Sequence, residues 1–201
     1  MNNPQRALPQ SGERMTLQEY FQLDYTVSEE RYEYQDGVIR LREGATVGHS
    51  EITHNMRVVL HRKFQTSSCF VQGSGMRVQV SESAYFFSDL TVTCDAADRR
   101  RGITLIRSPR TVVEVLSPST EKIDRVDKFR AYQACSTIQE VVLISQFAPH
   151  VEVFRRNEGS SEWSHVCYET GEEVALESVD VYVPMEEIYQ GIDFNEPLVE
   201  E

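Results

Sequence analysis

The apolar positions of this chain follow two periods. Ile52, Met56, Val59, Leu60 and Phe64 recur at helical spacing, so residues 50–65 predict a helix with one face on a core. Elsewhere the period is two. Tyr32–Gln35 and Val38–Leu41 alternate on either side of Asp36-Gly37, a dipeptide suited to the tightest hairpin turns. Met76–Val80 alternates as well, and Tyr85–Cys94 reads as one longer strand. Arg110–Leu116 and Val141–Ser145 are almost continuously apolar, as in strands covered on both faces. Val151–Arg155 and Trp163–Tyr168 predict a hairpin across Asn157–Ser161.

Local signals set the ends of the helices. Thr16-Leu17-Gln18-Glu19 is a capping box for a short helix to about Leu23, with Met15 and Tyr20 placed as a hydrophobic staple. Thr120 is the expected N-cap of a helix running to about Cys135, with Glu121 in its first turn. Pro184 starts a small last helix. Residues 1–14 read as a flexible leader, 15–192 as one domain and 193–201 as an acidic tail. Helices separate some strands and turns separate others. The expected fold class is therefore α/β (α+β), with a mixed central β-sheet flanked by helices. The strand–helix–strand unit 111–145 predicts a right-handed parallel crossover.

Two acids interrupt this pattern. Glu114 sits inside TVVEVL, and Asp89 between Tyr85-Phe86-Phe87 and Leu90-Thr91-Val92. An unpaired buried carboxylate costs several kcal/mol or gives up its charge. If the two strands are neighbours, the acids converge, repel each other and need a cation. Oxygen donors of this kind suit Mg²⁺ or Mn²⁺, which polarises a phosphodiester and acidifies a bound water. The alternative is structural pairing, for Glu114 with Arg110 or Arg77. In the following helix Asp124, Lys128 and Tyr132 form one stripe, with Ile123, Val126 and Phe129 on another side. Lys128 there could steady a metal-bound water or a phosphorane; the alternative is an ordinary Asp124–Lys128 surface pair.

Composition changes the picture in three places. The net charge of −12 argues against a nucleic-acid partner until it is divided. Residues 98–130 hold nine Lys and Arg against five Asp and Glu, whereas residues 131–201 hold two against fifteen. A basic active face on an acidic protein is thus open, beside the plainer reading of a solvated surface. The four cysteines form no C-x-x-C pair, so buried reduced thiols are expected and a zinc site is not. The start lacks the apolar segment of a signal peptide, and no apolar run reaches the roughly 18–20 residues of a membrane span. A cytoplasmic location away from membranes is expected.

The blocks ERYEYQDGVI (30–39), His49, SDLTV (88–92), VVEVLSPST (112–120), DRVDKFRAY (124–132) and EVVLI (140–144) stand in one order. Together they resemble a large bacterial family of restriction-endonuclease-like proteins within the PD-(D/E)XK nuclease superfamily. The resemblance spans about residues 15–190, and VEVLSPST is its most specific part. It implies a restriction-endonuclease-like core. Asp89 and Glu114 would hold a divalent ion with help from the Val115 carbonyl, and Glu33 would be a further metal or water ligand. Two positions depart from the superfamily pattern: Ser88 stands where it has proline, and Leu116 where it has lysine. The resemblance implies that the lysine has moved to the next helix, as Lys128. His49 lies on the side of its helix nearer Ile52 and Met56, while His54 and His61 lie opposite. His49 is accordingly an accessory site candidate, with Asp124 and Tyr132; a core or capping role is equally open.

The expected function is Mg²⁺-dependent hydrolysis of DNA by an activated water, with Asp89, Glu114, Lys128 and Glu33 as the working residues. By analogy with superfamily nucleases, a homodimer is expected. Two rivals stay open: a catalytically silent member of the fold that binds a protein or nucleic acid, and a hydrolase of small phosphoesters.

Overall fold

The computed structural model describes residues 8–26, 30–42, 44–117 and 121–195. It opens on the expected capping box. Glu19 N–H donates to Thr16 Oγ1 at 3.3 Å and Thr16 N–H to Glu19 Oε2 at 2.8 Å, starting α1 (Leu17–Thr26). β1 (Tyr32–Gln35) and β2 (Val38–Leu41) form the hairpin, with Asp36 at φ 50° and Gly37 at φ 84°. Positive φ at both turn positions is what the Asp-Gly pair supplies cheaply. The leader expected over 1–14 is partly ordered against this hairpin. Gly12 N–H donates to Ile39 O at 2.8 Å, and Ile39 N–H to Glu13 O at 3.0 Å. Residues 1–7, and 196–201 of the tail, lie outside the described residues.

α2 (Val47–Lys63) is capped by Thr46, whose hydroxyl oxygen accepts from His49 N–H. The chain continues through β3 (Phe70–Gly73), β4 (Arg77–Ser81), β5 (Ala84–Phe86), β6 (Leu90–Thr93), β7 (Leu105–Ile106) and β8 (Pro109–Leu116). The expected strand Tyr85–Cys94 is two strands instead. β5 belongs to a five-stranded sheet of order β2-β1-β5-β4-β7. β6 belongs to a six-stranded sheet that carries β8, and the chain crosses between sheets over Phe87–Asp89. Nothing in the alternation marks that crossing, because both halves are buried.

A π-helical stretch, Ile123–Lys128, runs into α3 (Phe129–Ala134). Thr120, its expected N-cap, lies outside the described residues. Then come β9 (Glu140–Ser145), β10 (Val151–Arg156), β11 (Trp163–Tyr168), β12 (Glu173–Leu176), β13 (Val181–Pro184) and α4 (Met185–Ile188). The large sheet has the order β11-β10-β9-β8-β6-β3, and β12 pairs with β13. β8 and β9 are parallel, as the crossover 111–145 requires. The single central sheet of the sequence reading thus becomes two mixed sheets and a hairpin, within the α+β class.

Each face of the large sheet has a core. One holds Ile52, Met56 and Leu60 of α2 against Leu90, Val92, Val113 and Val115, and is closed by β13 and α4. The other joins Val112, Leu116, Val141 and Leu143 to Val78, Phe86 and Tyr132. Ile52, Met56 and Leu60 are all 0% exposed; full burial of such side chains contributes about 1.5–3 kcal/mol each. A third cluster packs Tyr20 on Tyr34, Ile39 and Tyr85 under α1. Among the described residues no helix is long and apolar enough to cross a membrane.

The expectation of four reduced, buried cysteines is corrected at three positions. The register Phe70↔Thr93 continues to Cys69 opposite Cys94, and these two form a disulfide. Cys167 is exposed, while Cys135 is a buried free thiol.

Candidate active site

β8 alternates strictly. Val113 and Val115 point into the core under α2, while Val112 and Leu116 point into the other. Glu114 lies between the latter two, on the face that meets α3, and is 2% exposed. It is not paired with Arg110 or Arg77. Its Oε1 accepts from Tyr132 O–H at 2.6 Å and from Lys128 Nζ at 3.2 Å.

Asp89 reaches Glu114 because β6 starts late. The last β6–β8 pair in that direction is Leu90↔Val113, so the next residues of β8 have no strand partner there. Asp89 takes the vacant place with side chain and backbone. Its Oδ2 accepts from Val115 N–H at 2.8 Å, and its own N–H donates to Glu114 Oε2 at 3.3 Å. Its remaining partners are Arg42 Nη2, on Oδ1, and His49 Nε2, 3.0 Å from Oδ2. The break between sheets also frees the N–H of Phe87, which donates to Glu33 Oε1 at 3.0 Å.

Lys128 binds the acids together. Its Nζ lies 2.9 Å from Glu33 Oε1, 3.2 Å from Glu114 Oε1 and 3.2 Å from Asp124 Oδ1. The Asp124–Lys128 pair is therefore buried rather than on the surface: Asp124 is 3% and Lys128 6% exposed. The stripe Asp124, Lys128, Tyr132 faces inward as a unit, while Val126, an apolar neighbour, faces out.

The charge states follow from this packing. Burial works to raise the Asp89 carboxyl, but the His49 hydrogen bond and charge, Arg42 and the Val115 amide outweigh it and hold it below its ordinary value. Burial pushes the Glu114 carboxyl up to about 8 against the pull of Lys128, with Asp124, Asp89 and Glu33 pushing the same way as burial. Burial alone would lower Lys128, yet Glu114, Glu33 and Asp124 keep it well above its ordinary value. Lys128 is thus a fixed ammonium. Burial first, and then Glu114, push the Tyr132 hydroxyl well upward, so it stays protonated and donates.

These groups line a pocket of about 200 Å³ with Arg40, Ser117 and Ile123 on its walls. It opens beside a groove of about 1020 Å³, which shares Arg42, His49 and Asp89 with it and extends past Arg31, His54 and Arg57. The Arg57 guanidinium lies close over Gly73, where a Cβ would stand 3.2 Å from its Nη1.

Of the site residues named from the sequence, Asp89, Glu114, Val115, Lys128, Glu33, His49 and Asp124 line one pocket, while Tyr132 stands behind Glu114 in the core. Sequence reasoning missed Arg42, which follows a strand end with no local signal of its role.

The architecture is that of a nuclease-like fold. The chain superposes on a solved structure titled as a putative nuclease belonging to DUF820, from Anabaena variabilis, with a TM-score of 0.72 at 16% identity, over 87% of this chain and 97% of that one. At that identity the likeness concerns the fold. Two proteins of Synechocystis sp. are similar in sequence. "Uncharacterized protein slr1290" is 30% identical over 90% of this chain and 94% of its own length. "Uncharacterized protein sll1609" is 28% identical over 74% of this chain and 84% of its own length. Residues 17–185 match the Uma2 family, described as "Putative restriction endonuclease", and the chain belongs to that family.

Proposed function

We propose that this protein is a divalent-metal-dependent phosphodiesterase acting on DNA. The observation that carries the reading is the meeting of Asp89, just before β6, with Glu114 of the adjacent β8, and the ammonium of Lys128 against Glu114. The donor set fits Mg²⁺ or Mn²⁺. Glu33, Asp89, Glu114 and Asp124 bring four carboxyl groups to a pocket whose cations are Arg40, Arg42 and Lys128, and a divalent ion would displace the proton that burial leaves on Glu114. Its donors are hard oxygens. The Val115 peptide faces the side where β6 has ended, so its carbonyl can join Asp89 and Glu114 as a ligand.

An ion held there would polarise a phosphodiester and acidify a water. The chain supplies the rest. Lys128 cannot act as a base, since three carboxylates keep its proton; it offers charge to a developing phosphorane or orients a water. Glu33 and Asp124 position that ammonium. His49 and the Val115 amide position Asp89, and Tyr132 positions Glu114. Arg42, Arg31 and Arg57 give the adjacent groove the cations that a phosphate backbone needs.

One observation favours a second reading, a catalytically silent protein of the same fold. Asp89 is already satisfied by Arg42, His49 and Val115, so Arg42 must give way before an ion binds through both oxygens. Two measurements decide. Plasmid and single-stranded DNA are incubated with Mg²⁺ or Mn²⁺ and wild type, Asp89→Ala, Glu114→Ala or Lys128→Ala protein. Cutting by wild type alone supports the proposal, and equal activity in all four overturns it. Calorimetry then shows whether Mn²⁺ binds; binding indifferent to Glu114→Gln, or none, favours the silent reading.

A further inference from the structure

The far edge of the large sheet carries a second group of ligand-type side chains, which the proposed hydrolysis does not use. β10 pairs with β11 so that Glu152 stands opposite Cys167 and Phe154 opposite His165. Residues two apart share a face of a strand. His150, Glu152 and Phe154 therefore line up against His165, Cys167 and Glu169. His150, Glu152 and Cys167 each offer one ligand atom, and these atoms lie within 4.8 Å of one another. His165 Nε2 adds a fourth, 3.0 Å from Glu152 Oε2 and 3.6 Å from Cys167 Sγ.

The surroundings orient both imidazoles. His150 Nδ1 is 2.8 Å from Glu169 Oε1, while its Nε2 faces Glu152 Oε1 at 3.9 Å. A carboxylate on one ring nitrogen that leaves the other free is the usual arrangement behind a metal-bound histidine. The His165 ring lies flat on Phe154, with centroids 4.2 Å apart and planes 4° from parallel.

We propose that this face of the β10–β11 hairpin binds Zn²⁺ through His150, Glu152 and Cys167, with His165 as the fourth ligand. A set of imidazole, thiolate and carboxylate suits zinc and not the hard ions that the acidic pocket would take. Zinc–ligand bonds of about 2.0–2.3 Å need the donor atoms closer together than they stand. The two imidazole side chains are 32% and 43% exposed, so they have room to swing inward. Glu152 Oε1 now accepts from Arg125 Nη2 at 2.6 Å, and Arg125 Nε is also held by Glu121 at 2.8 Å. On binding, Glu152 leaves Arg125, which keeps Glu121, and the thiol proton of Cys167 is released.

The full chain, purified with chelator, is titrated with Zn²⁺ by calorimetry and with Co²⁺ by absorbance. A sulfur-to-cobalt charge-transfer band in the near ultraviolet, reaching the intensity of one thiolate-bound ion per chain, is expected. Cys167→Ser should remove the band. His165→Ala and Glu152→Gln should each weaken zinc by more than about tenfold, the least that loss of an outer partner costs at a metal site. Asp89→Ala should keep the band, which separates this site from the acidic pocket. Circular dichroism confirms that each variant is folded. No band in wild type, a band that survives Cys167→Ser, or one lost in Asp89→Ala overturns the proposal.

Discussion

Lys128→Met is the most informative single perturbation, because one ammonium holds three buried carboxylates. Methionine keeps much of the length and apolar stem and removes only the charge. The nearest oxygens, of Glu33, Glu114 and Asp124, stand 2.9, 3.2 and 3.2 Å from Nζ. Taking one partner out of a buried ion pair costs about 3–5 kcal/mol. For a domain of this size that is about 6–20 °C in Tm, at roughly 2–4 °C per kcal/mol. The loss depends on pH, because burial pushes Glu114 up to about 8. In the wild type at pH 8.5 this carboxyl is largely ionised and gains from the ammonium; the variant, without that pull, either holds it ionised against Glu33 and Asp124 or takes up a proton at a cost in free energy. At pH 6 Glu114 carries a proton and relieves part of the repulsion. The assay is thermal denaturation by circular dichroism in chelator, wild type against variant at both pH values, so that effects common to both proteins cancel. The gap in Tm should be wide at pH 8.5 and narrower at pH 6. A gap under about 2 °C at both, less than 1 kcal/mol on the same scale, or one that widens toward acid, would refute the charge balance described.

Tyr132→Phe deletes the 2.6 Å donor to Glu114 and should cost about 0.5–1.5 kcal/mol at neutral pH, the range for a hydrogen bond to a neutral acceptor; an unchanged urea midpoint would show that the bond contributes nothing. Glu114 has a folded pKa raised from 4.5 to about 8 by burial. Its contribution is complete below 4.5 and is lost as pH rises through 8. Glu114→Gln should therefore flatten the alkaline fall in metal-free stability between those values, and a wild-type slope in the variant counts against the shift. Reduction of Cys69–Cys94, 25 residues apart, should cost up to about 3.5 kcal/mol by loop entropy. A reductant-insensitive Tm, or an unreduced mass that retains both thiol hydrogens, would contradict the pairing.

What was legible in the sequence was local. The Thr16–Glu19 box, the Asp36-Gly37 turn and the stripe of α2 each depend on residues within a few positions, and each formed where it was expected. The acids were legible for a related reason: a charge inside an apolar strand conflicts with its surroundings, and the conflict is visible without knowing the neighbours. The departures depend on partners far along the chain. Tyr85–Cys94 looks like one strand because both halves are buried, and only the pairing with β1 and β8 assigns them to different sheets. The disulfide depends on the register of β3 with β6. Arg42 meets Asp89 across 47 residues, a separation at which no spacing rule operates.

The position of the lysine shows why the site tolerates Leu116. Val112, Glu114 and Leu116 share a face of β8, so a lysine at 116 would also point toward α3. There it would enter the core of Phe86, Tyr132 and Val112, and Leu116 instead fills that space, 2% exposed. The ammonium comes from the opposite wall. In an α-helix positions four apart drift about 40° forward round the axis, so residues 124 and 132 would diverge by about 80°. The π stretch Ile123–Lys128, whose last turn closes with Phe129 N–H on Asp124 O, holds more residues per turn and offsets that drift over its length. Asp124, Lys128 and Tyr132 consequently stay on one line facing Glu114: an acid that sets the ammonium, the ammonium, and a phenol that holds the strand acid. Leu116→Lys should then not rebuild the superfamily pattern. It would bury a second ammonium beside a site already organised around Lys128, and loss of stability without gain of DNA cutting is the expected result.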